Sequence, residues 1–288
     1  MNEAESYVPS HITGFFKIHI SDNPILTGST GVGICLSAGL KTFVKIKEGK
    51  EKKLFFNDIE IDSEILNTIL NKIGINENIS IIAKQYSPLP IGYGYGMSGA
   101  SLFGLTLAIN KALGEPLKKN EVGKIAHIIE VERKTGLGDI LAQTVGGFVI
   151  RTKPGAPNIG EVKNLPYPKE WLVITTPVKK INTSEILKNP RINEIGEECF
   201  KEFLKNPIIE NFVNISNIFW KNIGLIDEDL IKIMKIYENL GIKYFSFKKG
   251  IVYGIIHEED FQLNNNWTII EKNGIMLIIS RISNRGAF

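Results

Sequence analysis

A glycine-rich segment in the first half of the chain has the composition of an anion-binding loop. It reads Pro90-Ile91-Gly92-Tyr93-Gly94-Tyr95-Gly96-Met97-Ser98-Gly99-Ala100-Ser101 and continues into an apolar helical pattern over residues 102–113. Glycines let backbone N–H groups approach a ligand, and at a helix N-terminus these donors and the helix dipole attract an anion. The expected anion is the phosphate chain of a nucleotide. The plainer alternative is a turn that lets a helix pack closely.

Two better-known phosphate-binding loops fit this segment poorly. A P-loop requires Gly-Lys-Ser/Thr, and this tripeptide does not occur in the sequence. The spacing Gly94-x-Gly96-x-x-Gly99 matches the dinucleotide-binding string. However, about 20 residues later, where an acidic residue should follow a strand, the chain is still in its predicted helix.

The segment resembles the second motif of the GHMP kinases, the superfamily of galactokinase, homoserine kinase and mevalonate kinase. That motif has the form P-x-x-x-G-L-G-S-S-A-A, and Tyr95, Met97 and Gly99 replace its Leu, first Ser and first Ala. The resemblance implies an ATP-dependent kinase. It also implies ten nucleotide-binding residues, which are Pro90, Gly92, Tyr93, Gly94, Tyr95, Gly96, Met97, Ser98, Gly99 and Ala100.

The resemblance also predicts a glutamate on the following helix, an aspartate on the next turn and then a Gly-Gly pair. Glu130, Asp139 and Gly146-Gly147 occur in that order. We expect the Ser98 hydroxyl and the Glu130 carboxylate to hold Mg²⁺, which prefers oxygen ligands. We expect Asp139 to orient the acceptor hydroxyl and take its proton. Glu132 is the competing carboxylate, but it lies on a different face of the helix from Glu130.

Three further segments narrow the resemblance to the archaeal pantoate kinases. They are residues 9–16, 27–33 and 126–139, and the likeness covers nearly all of residues 8–152. It implies ATP-dependent phosphorylation of the terminal hydroxyl of (R)-pantoate to 4-phosphopantoate in coenzyme A biosynthesis. Many GHMP kinases have a lysine at the position of His11. Two roles for His11 stay open, a contact to phosphate and a purely structural hydrogen bond.

Pantoate carries a carboxylate and two hydroxyls, so its pocket needs one cation and a few polar groups. Arg151 follows Gly146-Gly147 and can bind a carboxylate through two parallel hydrogen bonds. His127 lies one turn before Glu130, and Ser29 lies in a glycine-bounded loop. We therefore predict that Ser29, His127 and Arg151 bind the substrate. Each of these three residues could instead have a purely structural role, and Lys124 or Lys153 could supply the cation in place of Arg151.

The elements that position these residues follow from hydrophobic periodicity and from Gly and Pro. Residues 26–33 are predicted to form a loop or tight bend, and residues 153–168 a loop near a domain boundary. Strands are predicted over 15–20, 34–40, 42–46, 79–85, 148–152 and 171–175, with strand pairs over 243–257 and 267–282. Helices are predicted over 63–73, 102–113, 120–134, 140–143, 194–205 and 227–240.

The resemblance implies an α+β, two-domain GHMP kinase fold. Residues 1–165 would form the N-terminal domain, which is similar to ribosomal S5 domain 2 and binds ATP and substrate. Residues 166–288 would form a ferredoxin-like C-terminal domain. The third superfamily motif is degenerate here, at Phe245–Gly250. Lys248 and Lys249 could neutralise phosphate there, but we expect them to lie in a solvated hairpin.

Composition limits the partners of the chain. Its 34 Lys and Arg nearly balance 31 Asp and Glu, which argues against nucleic acid. There is no apolar run of the ~18–20 residues that a membrane span needs, and the N-terminus lacks the layout of a signal peptide. We expect a cytoplasmic protein with a small-molecule substrate, and family resemblance favours a homodimer.

The rival hypotheses for the function are a kinase of homoserine, mevalonate or shikimate, and a non-catalytic nucleotide-binding regulator.

Overall fold

Two β-sheets and their helices form an α+β fold in the computed structural model of the protein, which describes residues 2–75, 78–182, 186–263, 270 and 274–288. The first sheet contains β1 (Asn2–His19), β2 (Gly28–Glu48), β3 (Lys52–Phe56), β4 (Ile59–Ile61), β5 (Ile79–Tyr86), β6 (Phe148–Lys153) and β7 (Glu161–Leu165). Its helices are α1 (Glu64–Ile73), α2 (Met97–Ala112), α3 (Lys119–Glu132) and α4 (Asp139–Val145).

The second half of the chain builds a four-stranded antiparallel sheet. Its strands are β8 (Trp171–Pro177), β9 (Tyr244–Lys248), β10 (Ile251–His257) and β11 (Ile278–Arg281), in the order β11-β8-β10-β9. Its helices are α5 (Ile192–Lys205), α6 (Ile209–Ile223), α7 (Glu228–Asn239) and α8 (Glu258–Leu263). The succession strand, helices, strand, strand, helix, strand is the ferredoxin-like arrangement. The two sheets lie on either side of the 165/166 boundary, where we propose that the two domains divide.

A long hairpin of β1 and β2 carries the N-terminal site residues. The prediction of a loop over residues 26–33 is wrong for residues 28–33, which begin β2. Glycine is needed there because the neighbouring strand leaves no room for a side chain. A Cβ at Gly31 would lie 2.4 Å from the Phe15 carbonyl oxygen, and one at Gly33 would lie 2.3 Å from His11 Nε2. The predicted short strand over 15–20 is the end of the much longer β1.

Helix α2 is buried on nearly every side, as its apolar sequence predicts. It begins at Met97, inside the glycine-rich segment, so the first turn of the helix belongs to the loop. Gly104 permits close packing on β2, since a Cβ there would lie 2.6 Å from Thr42 Oγ1. The middle of α2 is therefore packed closely against the first sheet.

The two halves share one hydrophobic core. The Phe15 ring of β1 lies 5.5 Å from that of Phe203 in α5 and 6.3 Å from that of Phe212 in α6. Phe148 of β6 packs on Phe212 at 5.4 Å. Each of these buried rings contributes about 1.5–3 kcal/mol of hydrophobic stabilisation. This packing fixes β1 between the two sheets.

Several elements differ from the predictions. Helix α6 was not predicted, and β7 lies inside the predicted 153–168 loop. The strand pair over 243–257 is confirmed as β9 and β10. In the predicted pair over 267–282, β11 is observed, whereas residues 267–269 and 271–273 lie outside the described residues. No helix in the described part of the chain is long and apolar enough to span a membrane.

Candidate active site

The glycine-rich loop forms one wall of a 350 Å³ cavity, here called the loop pocket, at the N-terminus of α2. Backbone hydrogen bonds fix the loop. The His11 N–H donates to the Tyr95 carbonyl at 2.8 Å, and the Gly250 N–H donates to the Tyr93 carbonyl at 3.2 Å. Gly94 and Gly96 adopt φ values of 129° and 66°, which glycine tolerates best. Hydrogen bonds from both halves of the chain therefore fix the conformation of the loop.

The residues predicted to bind the nucleotide divide into two groups. Those that line the loop pocket are Gly92, Gly94, Tyr95, Gly96, Met97 and Ser98. Those outside its lining are Pro90, Tyr93, Gly99 and Ala100. The Tyr95 side chain is buried and its hydroxyl donates to Thr175 Oγ1 at 3.0 Å, so only its backbone is placed for a ligand.

Asp139 begins α4 at the edge of the loop pocket, with its side chain 23% exposed. Its Oδ1 accepts hydrogen bonds from His11 Nδ1 at 2.6 Å and from Thr13 Oγ1 at 3.3 Å. Burial alone would raise the pKa of this carboxyl. The positive charge of Lys248, the His11 hydrogen bond and the charge of Arg151 outweigh burial and hold the Asp139 pKa far below its usual range. Asp139 is therefore ionised at neutral pH.

His11 connects Asp139 to Arg151. Burial, reinforced by the charges of Arg151 and Lys248, lowers the pKa of His11 to about 4 even though Asp139 opposes this, so the ring is neutral at pH 7. Because ionised Asp139 can only accept, the ring proton is on Nδ1, and Nε2 accepts from Arg151 Nη1 at 3.4 Å. Arg151 therefore donates to His11 and His11 donates to Asp139, so two successive hydrogen bonds end at the Asp139 carboxylate.

Lys248 and Lys249 close the site from β9, and the prediction of a solvated hairpin is wrong. Lys248 is 4% exposed and its Nζ donates to the His11 carbonyl at 3.3 Å. Burial lowers the pKa of Lys248 to about 7, although the negative charge of Asp139 opposes the shift. Burial also lowers the pKa of Lys249, against the attraction of Asp139 and Glu130. Lys248 is the last residue of β9 and Lys249 follows it in the turn to β10.

Glu130, on the buried face of α3, has two carboxylate oxygens that are buried and have no hydrogen-bond partner among the described residues. Burial raises its pKa to about 8, with a further contribution from the negative charge of Asp139. Gly99 and Gly136 make room for it, because a Cβ at either position would lie 2.8 or 2.4 Å from Glu130 Oε1. Glu132, by contrast, is exposed and pairs with Lys72 at 2.7 Å, as its different helix face predicted.

A third buried oxygen, the amide oxygen of Gln143, lies near Gly99 like the carboxylate of Glu130. Gln143 of α4 donates from Nε2 to the Gly96 carbonyl at 3.0 Å, which fixes the orientation of its amide. Its Oε1 then has no partner in the described part of the chain, and it lies 3.3 Å from the position of a Gly99 Cβ. Carboxylate and amide oxygens are the ligands that Mg²⁺ takes. The unpaired oxygens of Glu130 and Gln143 therefore fit a bound cation.

A smaller cavity of 50 Å³, here called the side pocket, adjoins the loop pocket. Its polar lining includes Thr13, Ser29 and Arg151. Arg151 is 1% exposed, and its Nε has no partner among the described residues. Gly138 gives Ser29 its space, because a Cβ there would lie 2.3 Å from Ser29 Oγ. The side pocket and the loop pocket have three lining residues in common, which are Asp139, Lys248 and Lys249.

His127 lies outside the lining of both pockets, so the structure does not bring it together with Ser29 and Arg151. Its side chain is fully buried, and Nε2 donates to the Thr27 carbonyl at 2.8 Å. Burial lowers its pKa, so it is neutral. His127 thus anchors the chain just before Ser29 and positions that residue rather than binding a ligand.

Sequence reasoning missed part of the site. Thr13, Gln143, Lys248 and Lys249 were not assigned to it, and His11 had no settled role. Gln143 carried one signal, since it follows Asp139 by four residues and therefore shares a helix face with it. The lysines lie in the degenerate third motif, which was their one signal, but their inward direction depends on how β9 docks against β1.

The chain is similar in sequence to known proteins. Residues 59–147 match the family model of the GHMP kinases N terminal domain. The chain is 42% identical to a pantoate kinase of Methanocaldococcus jannaschii over 81% of this chain and 84% of that protein. It is 30% identical to a pantoate kinase of Thermococcus kodakarensis over 80% of this chain and 79% of that protein.

A solved structure described as a phosphotransferase related to the coenzyme A biosynthesis pathway has the same fold. It superposes with a TM-score of 0.88 at 25% identity, covering 99% of this chain and 98% of that one. The matched sequence relatives span about four-fifths of the chain. The chain therefore belongs to the pantoate kinase family of the GHMP kinases.

Proposed function

We propose that this protein transfers the γ-phosphoryl group of ATP to the terminal hydroxyl of (R)-pantoate, giving 4-phosphopantoate and ADP for coenzyme A biosynthesis. One observation carries the proposal, namely that the loop pocket and the side pocket meet at Asp139, Lys248 and Lys249. Phosphoryl transfer requires a donor and an acceptor on either side of such a point. The two relatives reported above are both pantoate kinases, which supports pantoate as the acceptor.

The loop pocket is the proposed ATP site. Backbone N–H groups at the N-terminus of α2 would bind the phosphates, and Lys249 would offset their charge. Ser98, Glu130 and the Gln143 amide oxygen would hold Mg²⁺ directly or through water. When bound, Mg²⁺ neutralises charge that develops on the phosphates during transfer.

Asp139 is the proposed partner of the acceptor hydroxyl. His11 and Thr13 donate to its Oδ1 and so fix the carboxylate. As the hydroxyl oxygen bonds to the γ-phosphorus and ADP leaves, Asp139 accepts the hydroxyl proton. Lys248 and Arg151 keep the Asp139 pKa far below its usual range, so this proton passes on to the phosphate product or to water. Orientation of the hydroxyl is therefore the main contribution of Asp139.

The side pocket is the proposed pantoate site. Arg151 Nε, which has no partner among the described residues, would donate to the pantoate carboxylate, and Ser29 would bind a hydroxyl or the carboxylate. Its 50 Å³ is far below the 300 Å³ at which ordinary small-molecule pockets begin. Side chains of the lining must therefore move outward when pantoate binds.

An ATP-consumption assay with Mg²⁺ tests the proposal against pantoate, homoserine, mevalonate and shikimate. We expect turnover with pantoate alone. For Arg151→Ala we expect a higher KM for pantoate and little change for ATP, whereas Lys153→Ala, an exposed neighbour on the same strand, serves as the control. Turnover with another acceptor would refute pantoate. ATP binding without any turnover would favour a non-catalytic nucleotide-binding regulator.

A further inference from the structure

A large cavity lies apart from the active site, where the last residues of the chain return to the β1–β2 hairpin. We call it the C-terminal pocket, and it measures 760 Å³. It has no lining residue in common with the loop pocket or the side pocket. Phe288 and Tyr7 exchange two backbone hydrogen bonds of 2.8 and 3.0 Å, which fix one wall of the pocket.

Positive charge is concentrated around this pocket. Its cationic lining residues are Lys41, Lys111, Lys169, Arg281 and Arg285. Glu5 is the one carboxylate side chain in that lining. The side chains of the lining carry an excess of four positive charges, which falls to three when Glu258, the ion-pair partner of Arg281, is counted. A concave wall focuses such a field on a bound anion.

Three of these cations are held in place by neutral partners. Lys111 donates to the Glu5 carbonyl at 3.0 Å. The Lys169 ammonium lies 3.9 Å from the centre of the Tyr167 ring, and the Arg285 guanidinium lies 4.3 Å from that of Phe288. A carbonyl or an aromatic ring orients a cation but does not neutralise it. The charges are therefore positioned and still available to an anion.

The two other cations differ in their pairing. Among the described residues, Arg281 is the one member of the set in an ion pair, with Glu258 at 2.5 Å. Lys41 is exposed and forms no ion pair with any described residue. The Tyr167 hydroxyl, also in the lining, is buried and has no hydrogen-bond partner within the described ranges. A ligand with several acceptor oxygens would satisfy this hydroxyl and the unpaired cations together.

We propose that the C-terminal pocket binds a small molecule that carries two or more phosphate charges, independently of the active site. The volume is within the 300–1,000 Å³ typical of small-molecule sites and is larger than a single phosphate needs. Phosphate oxygens match both the excess of cationic donors and the unpaired hydroxyl. A concave pocket of this volume favours a small ligand over a nucleic acid backbone.

Calorimetric titration with inorganic pyrophosphate, in metal-free buffer at low salt, tests the proposal. The double variant Lys41→Ala, Lys169→Ala removes two exposed cations of the pocket. We expect the pyrophosphate binding step of the C-terminal pocket to weaken at least tenfold, as is typical when charged hydrogen-bond donors are lost, while any step at the loop pocket stays unchanged. The matched control is Lys163→Ala, Lys232→Ala, which removes the same charge from exposed positions outside the pocket lining.

Both double variants should keep the melting temperature and kcat of the wild type, which excludes misfolding as the cause. Pyrophosphate binding should also weaken as NaCl is raised, because the pocket is exposed to solvent. An isotherm that is the same for the wild type and the pocket variant would overturn the proposal. Equal weakening in the control variant would overturn it too, because it would show attraction to overall charge alone.

Discussion

Two glycines before α4, Gly136 and Gly138, separate the proposed cation site from the proposed pantoate site. A Cβ at Gly136 would lie 2.4 Å from Glu130 Oε1, whereas one at Gly138 would lie 2.3 Å from Ser29 Oγ. Neither glycine has a positive φ. Substitution by alanine therefore acts on these neighbouring side chains rather than through backbone strain.

The effect of Gly136→Ala follows from this geometry. Ordinary contact begins at 3.4 Å, so the Glu130 carboxylate must retreat by about 1 Å. A metal ligand tolerates about 0.2 Å, and disturbing the support of a ligand typically weakens metal binding about 10–100-fold. We expect the Mg²⁺ concentration for half-maximal activity to rise by that factor, with the KM for pantoate changed less than twofold.

Gly138→Ala is the matched comparison, two residues away. It should raise the KM for pantoate and leave the Mg²⁺ requirement unchanged. Steady-state assays that vary Mg²⁺ and pantoate separately measure both effects, and titration of each variant with Mn²⁺ followed by electron paramagnetic resonance measures metal binding without turnover. If Gly136→Ala impairs pantoate binding while metal binding stays normal, the assignment of Glu130 to the cation is refuted.

Three further predictions test individual residues. Burial holds the pKa of His11 at about 4 against 6.5 in the free side chain, so the unfolded chain gains this proton first as the pH falls. The free energy of unfolding measured in urea should therefore fall between pH 6.5 and 4, and His11→Gln should reduce that loss by about 3 kcal/mol. If the free energy of unfolding of His11→Gln depends on pH as steeply as that of the wild type, the prediction is refuted. Gln143→Met should weaken Mn²⁺ binding with little change in ATP affinity in metal-free buffer, and normal Mn²⁺ binding would remove Gln143 from the cation site. His127→Phe should lower the free energy of unfolding by about 1–3 kcal/mol and leave the pH dependence of kcat unchanged. An unchanged free energy of unfolding together with a lost pH dependence of kcat would instead assign His127 to the active site.

Local patterns in the sequence predicted most of the elements that hold the site. Helix geometry predicted that Glu130 and Glu132 lie on different faces of α3, and in the structure Glu130 is buried whereas Glu132 is exposed. The glycines of the loop predicted the N-terminus of α2, although the helix begins at Met97 rather than after Ser101. Such features depend on neighbours within a few residues, which the sequence shows directly.

Features that depend on docking between distant segments could not be predicted. Gly28–Gly33 read as a loop because the need for glycine comes from β1, across the hairpin. His11 and Asp139 are 128 positions apart and meet at 2.6 Å. Lys248 reaches His11 from the second sheet, so its burial could be predicted only by knowing how the two halves pack.

Asp139→Asn tests the central claim, that the acceptor hydroxyl is oriented at the boundary of the two pockets. The substitution preserves the shape of the side chain and removes its charge. We expect kcat to fall about 10²-fold or more, because the neutral amide neither holds the acceptor hydroxyl in its reactive orientation nor takes its proton. Calorimetry should show that ATP and pantoate still bind. A kcat within a few-fold of the wild type, with both ligands bound, would contradict the account.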